Sequence, residues 1–157
     1  MNIQLVKNLL MILTSVLITA CASNATMTES ERTIAYDQYI ETNKLESIKR
    51  IISFNFYSWT PLGDEHLIIS SRRNKPHLIR LQRNCFDLSF AHGIMIHSNA
   101  SSLSARFDSI SVIEPNSIKC FIKSIYPLSK VQAKAIAKIG YFDKDSNEER
   151  IVEPSKP

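Results

Sequence analysis

The chain has 157 residues, 44% of them hydrophobic, with 19 Lys and Arg against 15 Asp and Glu and a net charge of +4. That length suits one domain with one core, and so small an excess of base does not supply the clustered basic face that nucleic-acid binding requires. Only three glycines are available for loops that approach a substrate closely.

Residues 1–20 read as an export signal. Lys7 gives the positive start, Leu9 to Ile18 the apolar run, and Thr19-Ala20 the small-residue exit. The run falls short of the about 20 apolar residues that a transmembrane helix needs, and the polar stretch CASNATMTESER follows at once. Without the first 20 residues, 137 remain; the loss of Lys7 leaves 18 bases against 15 acids. Residues 21–28 read as a polar tether, residues 29–142 as a single globular domain, and residues 143–157 as a solvated polar tail.

Within the domain a helix is predicted from Glu29 to about Leu45. Thr28 and Glu31 make a capping box, Glu29 and Glu31 suit the positive end of the helix, and Ile34, Tyr36, Tyr39 and Ile40 supply an apolar face. The period then changes to two. In RIISFNFYSW, Ile52, Phe54 and Phe56 fall on one side; TPLGDE is a turn and HLIISS the returning strand. RRNKP turns the chain into HLIRLQRNC, and DLSFAHGIMIHS alternates Leu88, Phe90, Ile94 and Ile96 against polar positions. Asn99 to Ser104 is a loop, and ARFDSISVIE and SIKCFIKSIY are two more strands around Pro115-Asn116-Ser117. Ser129 caps a last helix with Val131, Ala135 and Ile139 at helical spacing and Gly140 at its end. The expected fold class is α+β: an antiparallel meander of about six strands curled into a small barrel or half-barrel, with a helix at each end.

Cys85 and Cys120 share strand faces with core positions, Cys85 with Ile79 and Leu81 and Cys120 with Ile118 and Ile122. In an exported protein they are expected to pair, closing a loop of about 36 residues worth about 3–4 kcal/mol. The alternative is two buried free thiols. A metal site is disfavoured because no Cys or His stands two to four residues from either cysteine, and no cofactor is expected.

His66, His77, His92 and His97 are the obvious reagents for catalysis, but His92 and His97 fall on opposite sides of one strand and form no ligand pair. No zincin, nucleophile-elbow or phosphate-loop motif occurs, and no catalytic residue is assigned. Arg72, Arg73 and Lys75 cluster at a hairpin tip, with Arg80 and Arg83 on the following strand. Such guanidinium groups can grip phosphate or carboxylate, and the competing role is a charged turn that protects an edge. Tyr57 and Trp59 are candidates for the rim of a groove, with core packing as the competing role.

Ile18-Thr19-Ala20-Cys21 resembles the lipobox of bacterial lipoproteins, an aliphatic residue and two small residues before cysteine. The resemblance implies a diacylglycerol thioether on Cys21, cleavage before it and a further acyl chain on the new amino terminus; two or more chains anchor a protein stably. An ordinary signal with an A-x-A site at Ala20-Cys21-Ala22 is the alternative. Ala22, in place of Asp, implies the outer membrane, inner leaflet, facing the periplasm.

The middle of the chain, about Arg50 to Ile136, resembles a family of small proteobacterial envelope lipoproteins known only as a domain of unknown function. The resemblance rests on WTPLGDEHLII, on HLIRL leading to the C-x-x-L of Cys85 to Leu88, on Ala91 and Ile94, on Asp108 before an aliphatic strand, and on CFIKSIYPL from Cys120. Members often carry two further cysteines, one of them just before the aspartate; here that place is Ser104 to Arg106, so no second disulfide is expected. The function expected is that of a non-catalytic binding or scaffolding domain held to the membrane through acyl chains on Cys21. Its partner would be peptidoglycan, lipopolysaccharide or another envelope protein, with no nucleic acid. A small periplasmic hydrolase or carbohydrate-modifying enzyme is the alternative.

Overall fold

The computed structural model describes residues 27–139 apart from Arg73 and Ala100, so the expected export signal, Cys21, Gly140 and the expected polar tail lie outside the described residues. Helix α1 spans Glu29–Thr42 and starts as its capping signal dictates: Thr28 Oγ1 accepts from Glu31 N–H, and the Glu31 carboxylate accepts from Thr28 N–H at 2.7 Å. It ends at Asn43, followed by Lys44 in the left-handed region, and buries Tyr36, Tyr39 and Ile40.

Eight strands follow among the described residues: β1 Arg50–Ile51, β2 Ser58–Pro61, β3 His66–Ser70, β4 Pro76–Leu81, β5 Ile94–His97, β6 Leu103–Ser104, β7 Ser109–Val112 and β8 Cys120–Pro127. Six form one antiparallel sheet in the order β2-β3-β4-β8-β7-β5, curled into a half-barrel, and β1 pairs separately with β6. Pro61, which cannot donate to a ladder, stands on the edge strand β2. Helix α2, Lys130–Lys138, is the last element among the described residues and starts behind Ser129, whose side chain accepts from Gln132 N–H.

The strict alternation of β3 and β4 produces two cores, one on each face of the sheet. Leu67, Ile69, Ile79 and Leu81 point into the half-barrel with Ile110, Ile122, Ile125 and the Cys85–Cys120 disulfide. Ile68 and Leu78 point the other way, against Tyr36, Tyr39, Ile40, Leu128 and Ile136 of the helical layer. The two helices are tied together by Tyr36, whose hydroxyl donates to the Ile139 carbonyl at 3.0 Å. No helix among the described residues is long and apolar enough to cross a membrane.

Two stretches with period-two sequence are not the strands expected. The chain leaves β1 after Ile51, Ser53 takes a left-handed backbone, and Ile52 is 78% exposed, so residues 52–57 are an excursion rather than a continuous strand. Leu88–Phe90 is a single 3₁₀ turn entered through Asp87 in the left-handed region; Leu88 is buried and Phe90 exposed. Cys85 itself lies beyond the end of β4, and Ile118, expected to face the core with Cys120, is exposed before β8 begins.

Candidate functional site

The β3–β4 hairpin brings Ser71, Arg72 and Lys75 to one end of the sheet, closed by Ser71 N–H donating to the Lys75 carbonyl. Beside it the chain entering β1 is held on the sheet by Ile48 N–H, which donates to the Ile125 carbonyl at 2.8 Å. Between the two runs a cleft of about 420 Å³ lined by Arg50, Ile52, Ser53, Arg72, Lys75 and His77, among others. Three of its lining side chains are cationic and none is acidic, so the cleft is electropositive. The left-handed turn at Ser53 places Ile52 on its wall. His77 is nearly buried and its imidazole pKa is lowered, first by burial and further by the Lys75 ammonium, although the Lys75 and Ile69 carbonyls favour the protonated ring. It therefore contributes a neutral polar surface at neutral pH.

Of the expected anion contacts, Arg72 and Lys75 share this cleft, and Arg73 lies outside the described residues. Arg80 and Arg83 separate from them. Arg80 is directly opposite His66 in the β3–β4 register, on the face covered by α1, and its guanidinium donates to Asp37 at 2.7 Å. Arg83 is exposed at the far end of β4. Arg50 and His77 enter the cleft without having been expected there. Position 50 carried a signal, since it is the last cation before the run of apolar residues; its place beside the hairpin follows from tertiary packing, with the chain entering β1 held on the sheet through Ile48 and Ile125.

The histidines sort by surroundings. His66 is 1% exposed, packs its ring against Tyr36 with centroids 5.3 Å apart, and lies 3.6 Å from Asp37. Burial, then the Arg80 and Lys123 cations, hold its pKa down at about 3. The Asp37 carboxylate, already engaged by Arg80, does not reverse that, so the contact with Asp37 is to a neutral imidazole and is longer than a hydrogen bond. His92 is exposed. His97 Nε2 and Ser111 Oγ lie 2.9 Å apart across β5 and β7 beside a second cleft of about 380 Å³. That is the distance of a nucleophile and its base, but Ser111 is buried and no carboxylate hydrogen-bonds to the ring among the described residues. The contact ties the edge strand to its neighbour.

Trp59 is half-buried against the half-barrel core, opposite Ile69, whereas Tyr57 is exposed. Asp108 is a structural residue: its carboxylate accepts from Ser104 N–H and its carbonyl from Ile122 N–H, stitching β6 to the sheet. Among the described residues no group of three His, Cys, Asp or Glu side chains is placed to hold a metal ion. No curated protein and no solved structure shows a significant match to the chain. A family model matches residues 4–139, and by it the chain belongs to DUF6491, a family of unknown function.

Proposed function

We propose that the protein is a lipid-anchored envelope protein whose domain binds anionic polymer non-catalytically through the cleft of Arg50, Arg72 and Lys75. The observation that carries this reading is the convergence of three cations, separated by up to 25 positions in sequence, on one cleft whose lining includes no acid. Guanidinium and ammonium groups around an open concavity suit the carboxylates and phosphates of a cell-wall polymer better than they suit a buried reactive centre. Anchoring rests on the sequence alone, on the apolar run before Ile18-Thr19-Ala20-Cys21. Acyl chains on Cys21 would hold the domain at the inner leaflet of the outer membrane, where peptidoglycan is the anionic polymer within the periplasm.

The test is retention by isolated peptidoglycan over a range of salt concentrations. Wild-type protein should be retained at low ionic strength and released as salt rises, because exposed charges more than about 8 Å apart are screened at physiological ionic strength. An Arg50→Ser, Arg72→Ser, Lys75→Ser variant should bind several-fold more weakly and lose most of the salt dependence. Salt-sensitive retention by lipopolysaccharide and not by peptidoglycan would change the ligand; retention by neither would remove the reading.

A further inference from the structure

Four phenylalanines stand in water at the end of the sheet opposite the basic cleft. Phe86, Phe90 and Phe107 are 67%, 85% and 82% exposed, and Phe121 is 39% exposed. Their backbones are joined: Phe86 follows Cys85, which is bonded to Cys120 beside Phe121; Gln82 N–H donates to the Phe121 carbonyl; and Arg106 N–H donates to the Ile122 carbonyl, next to Phe107. Exposed cations are interleaved with them, Arg83, Arg106, Lys119 and Lys123, against the two exposed acids of the same 82–123 span, Asp87 and Glu114. Large exposed aromatic residues set among basic ones are the composition of a surface that lies in a membrane interface.

The start of α1 lies beside this surface. Glu29 accepts from Asp64 N–H at 3.0 Å, the Asp64 carboxylate accepts from the Ser89 hydroxyl at 2.9 Å, and the Asp64 carbonyl accepts from Cys85 N–H at 2.8 Å. The chain therefore enters the domain against the loop that carries Phe86 and Phe90. Seven residue steps, through Ala22 to Met27, lead from Cys21 to the cap residue Thr28. At about 3.3–3.6 Å per residue they reach about 25 Å at most. A lipid-anchored Cys21 thus tethers the domain from that end, within about 25 Å of the bilayer.

We infer that the Phe86, Phe90, Phe107 and Phe121 end of the sheet rests on the membrane surface, its rings in the headgroup boundary and its cations against anionic headgroups. This orientation rests on the proposed acylation of Cys21. It directs the cleft of Arg50, Arg72 and Lys75 away from the bilayer, because β3 and β4 run from the Asp64 and Cys85 end to the Ser71–Lys75 hairpin.

The experiment uses the full chain, exported and acylated, in vesicles of phosphatidylethanolamine and phosphatidylglycerol with brominated acyl chains. Phe90→Trp places a reporter in the proposed contact and Arg72→Trp one at the cleft, each read after subtraction of the Trp59 signal of the unmodified chain. The F90W emission should shift to the blue and be quenched by lipid bromine several-fold more than that of R72W, which should stay open to aqueous acrylamide. Mass measurement and vesicle flotation of the same samples report the anchor separately. A chain without acyl groups overturns both the anchor and the orientation. An acylated, floating chain whose F90W emission is unquenched by lipid overturns the orientation alone, and so does a reporter shielded from acrylamide but not reached by bromine, which would indicate a protein on that surface.

Discussion

His66 is buried beneath α1 with Arg80 directly opposite it in the ladder, and its environment resists protonation. In the unfolded chain an imidazole titrates near the ordinary histidine value of about 6.5; in the fold its pKa is about 3. Between those values the unfolded state binds a proton that the folded state refuses. Stability should therefore be unaffected by His66 above pH of about 6.5 and fall as pH drops toward about 3, with a limiting slope of about 1.4 kcal/mol per pH unit. His77, also lowered, contributes in the same direction. Urea unfolding midpoints of wild type and His66→Gln across that window check the assignment: the variant should lose less stability on acidification, and parallel curves would show that His66 does not titrate as its surroundings dictate. None of this was visible in the sequence. His66 reads as the first residue of a strand, and neither Asp37, on a helix, nor Arg80, fourteen positions on, signals that it will share a buried site with it.

At the scale of elements, what the sequence revealed depended on whether the signal was local. The capping signals at Thr28 and Ser129 are complete within four residues; the box at Thr28 and the cap at Ser129 form as expected, and Gln132 completes a second box at Ser129. The β3–β4 hairpin was legible because alternation and turn residues agree. Alternation misled where a left-handed residue interrupts the strand, at Ser53 and Asp87, neither of which is glycine; a period of two continues on paper through a backbone that has turned away. The cysteines were paired correctly although Cys85 is in no strand, because what pairing needs is burial and proximity. That disulfide now explains a weak place in the sheet. β7 and β8 share only the pairs Ser109↔Phe121 and Ile110↔Cys120, so the antiparallel β5–β7 pair joins the rest of the sheet through a short ladder. Cys85–Cys120 spans 35 positions and fixes the end of that ladder to the chain leaving β4. Replacing both cysteines by Ala should lower stability by about 3–4 kcal/mol, the loop-closure estimate for this span. Denaturant unfolding measures the loss, and hydrogen exchange should rise first in β5 and β7; a loss below about 1 kcal/mol would mean that packing alone holds the junction.

The whole molecule has two unlike ends. From Asp64 to Ser71 the chain through β3 covers at most about 23 Å at 3.2–3.4 Å per residue, with the phenylalanine surface at one end and the basic cleft at the other. Between them stand the two cores, neither of which includes a residue from the exposed aromatic group or from the cationic lining. Sites more than about 7–10 Å apart with no shared partner add in stability within about 0.3–0.5 kcal/mol. Exposed positions away from such partners change stability by about 0.5 kcal/mol or less. A Phe86→Ser, Phe90→Ser variant and an Arg72→Ser, Lys75→Ser variant should each therefore fold with near-wild-type stability, and the combined variant should show the sum. Their binding effects should be equally separate. The phenylalanine changes should reduce contact with vesicles and leave salt-sensitive retention by peptidoglycan intact, while the cation changes should do the reverse. A coupling above about 1 kcal/mol between the pairs, or loss of polymer retention on changing the phenylalanines alone, would show that the ends are linked through the sheet. If neither occurs, the two ends act independently, as the proposed lipid-facing and polymer-facing roles require.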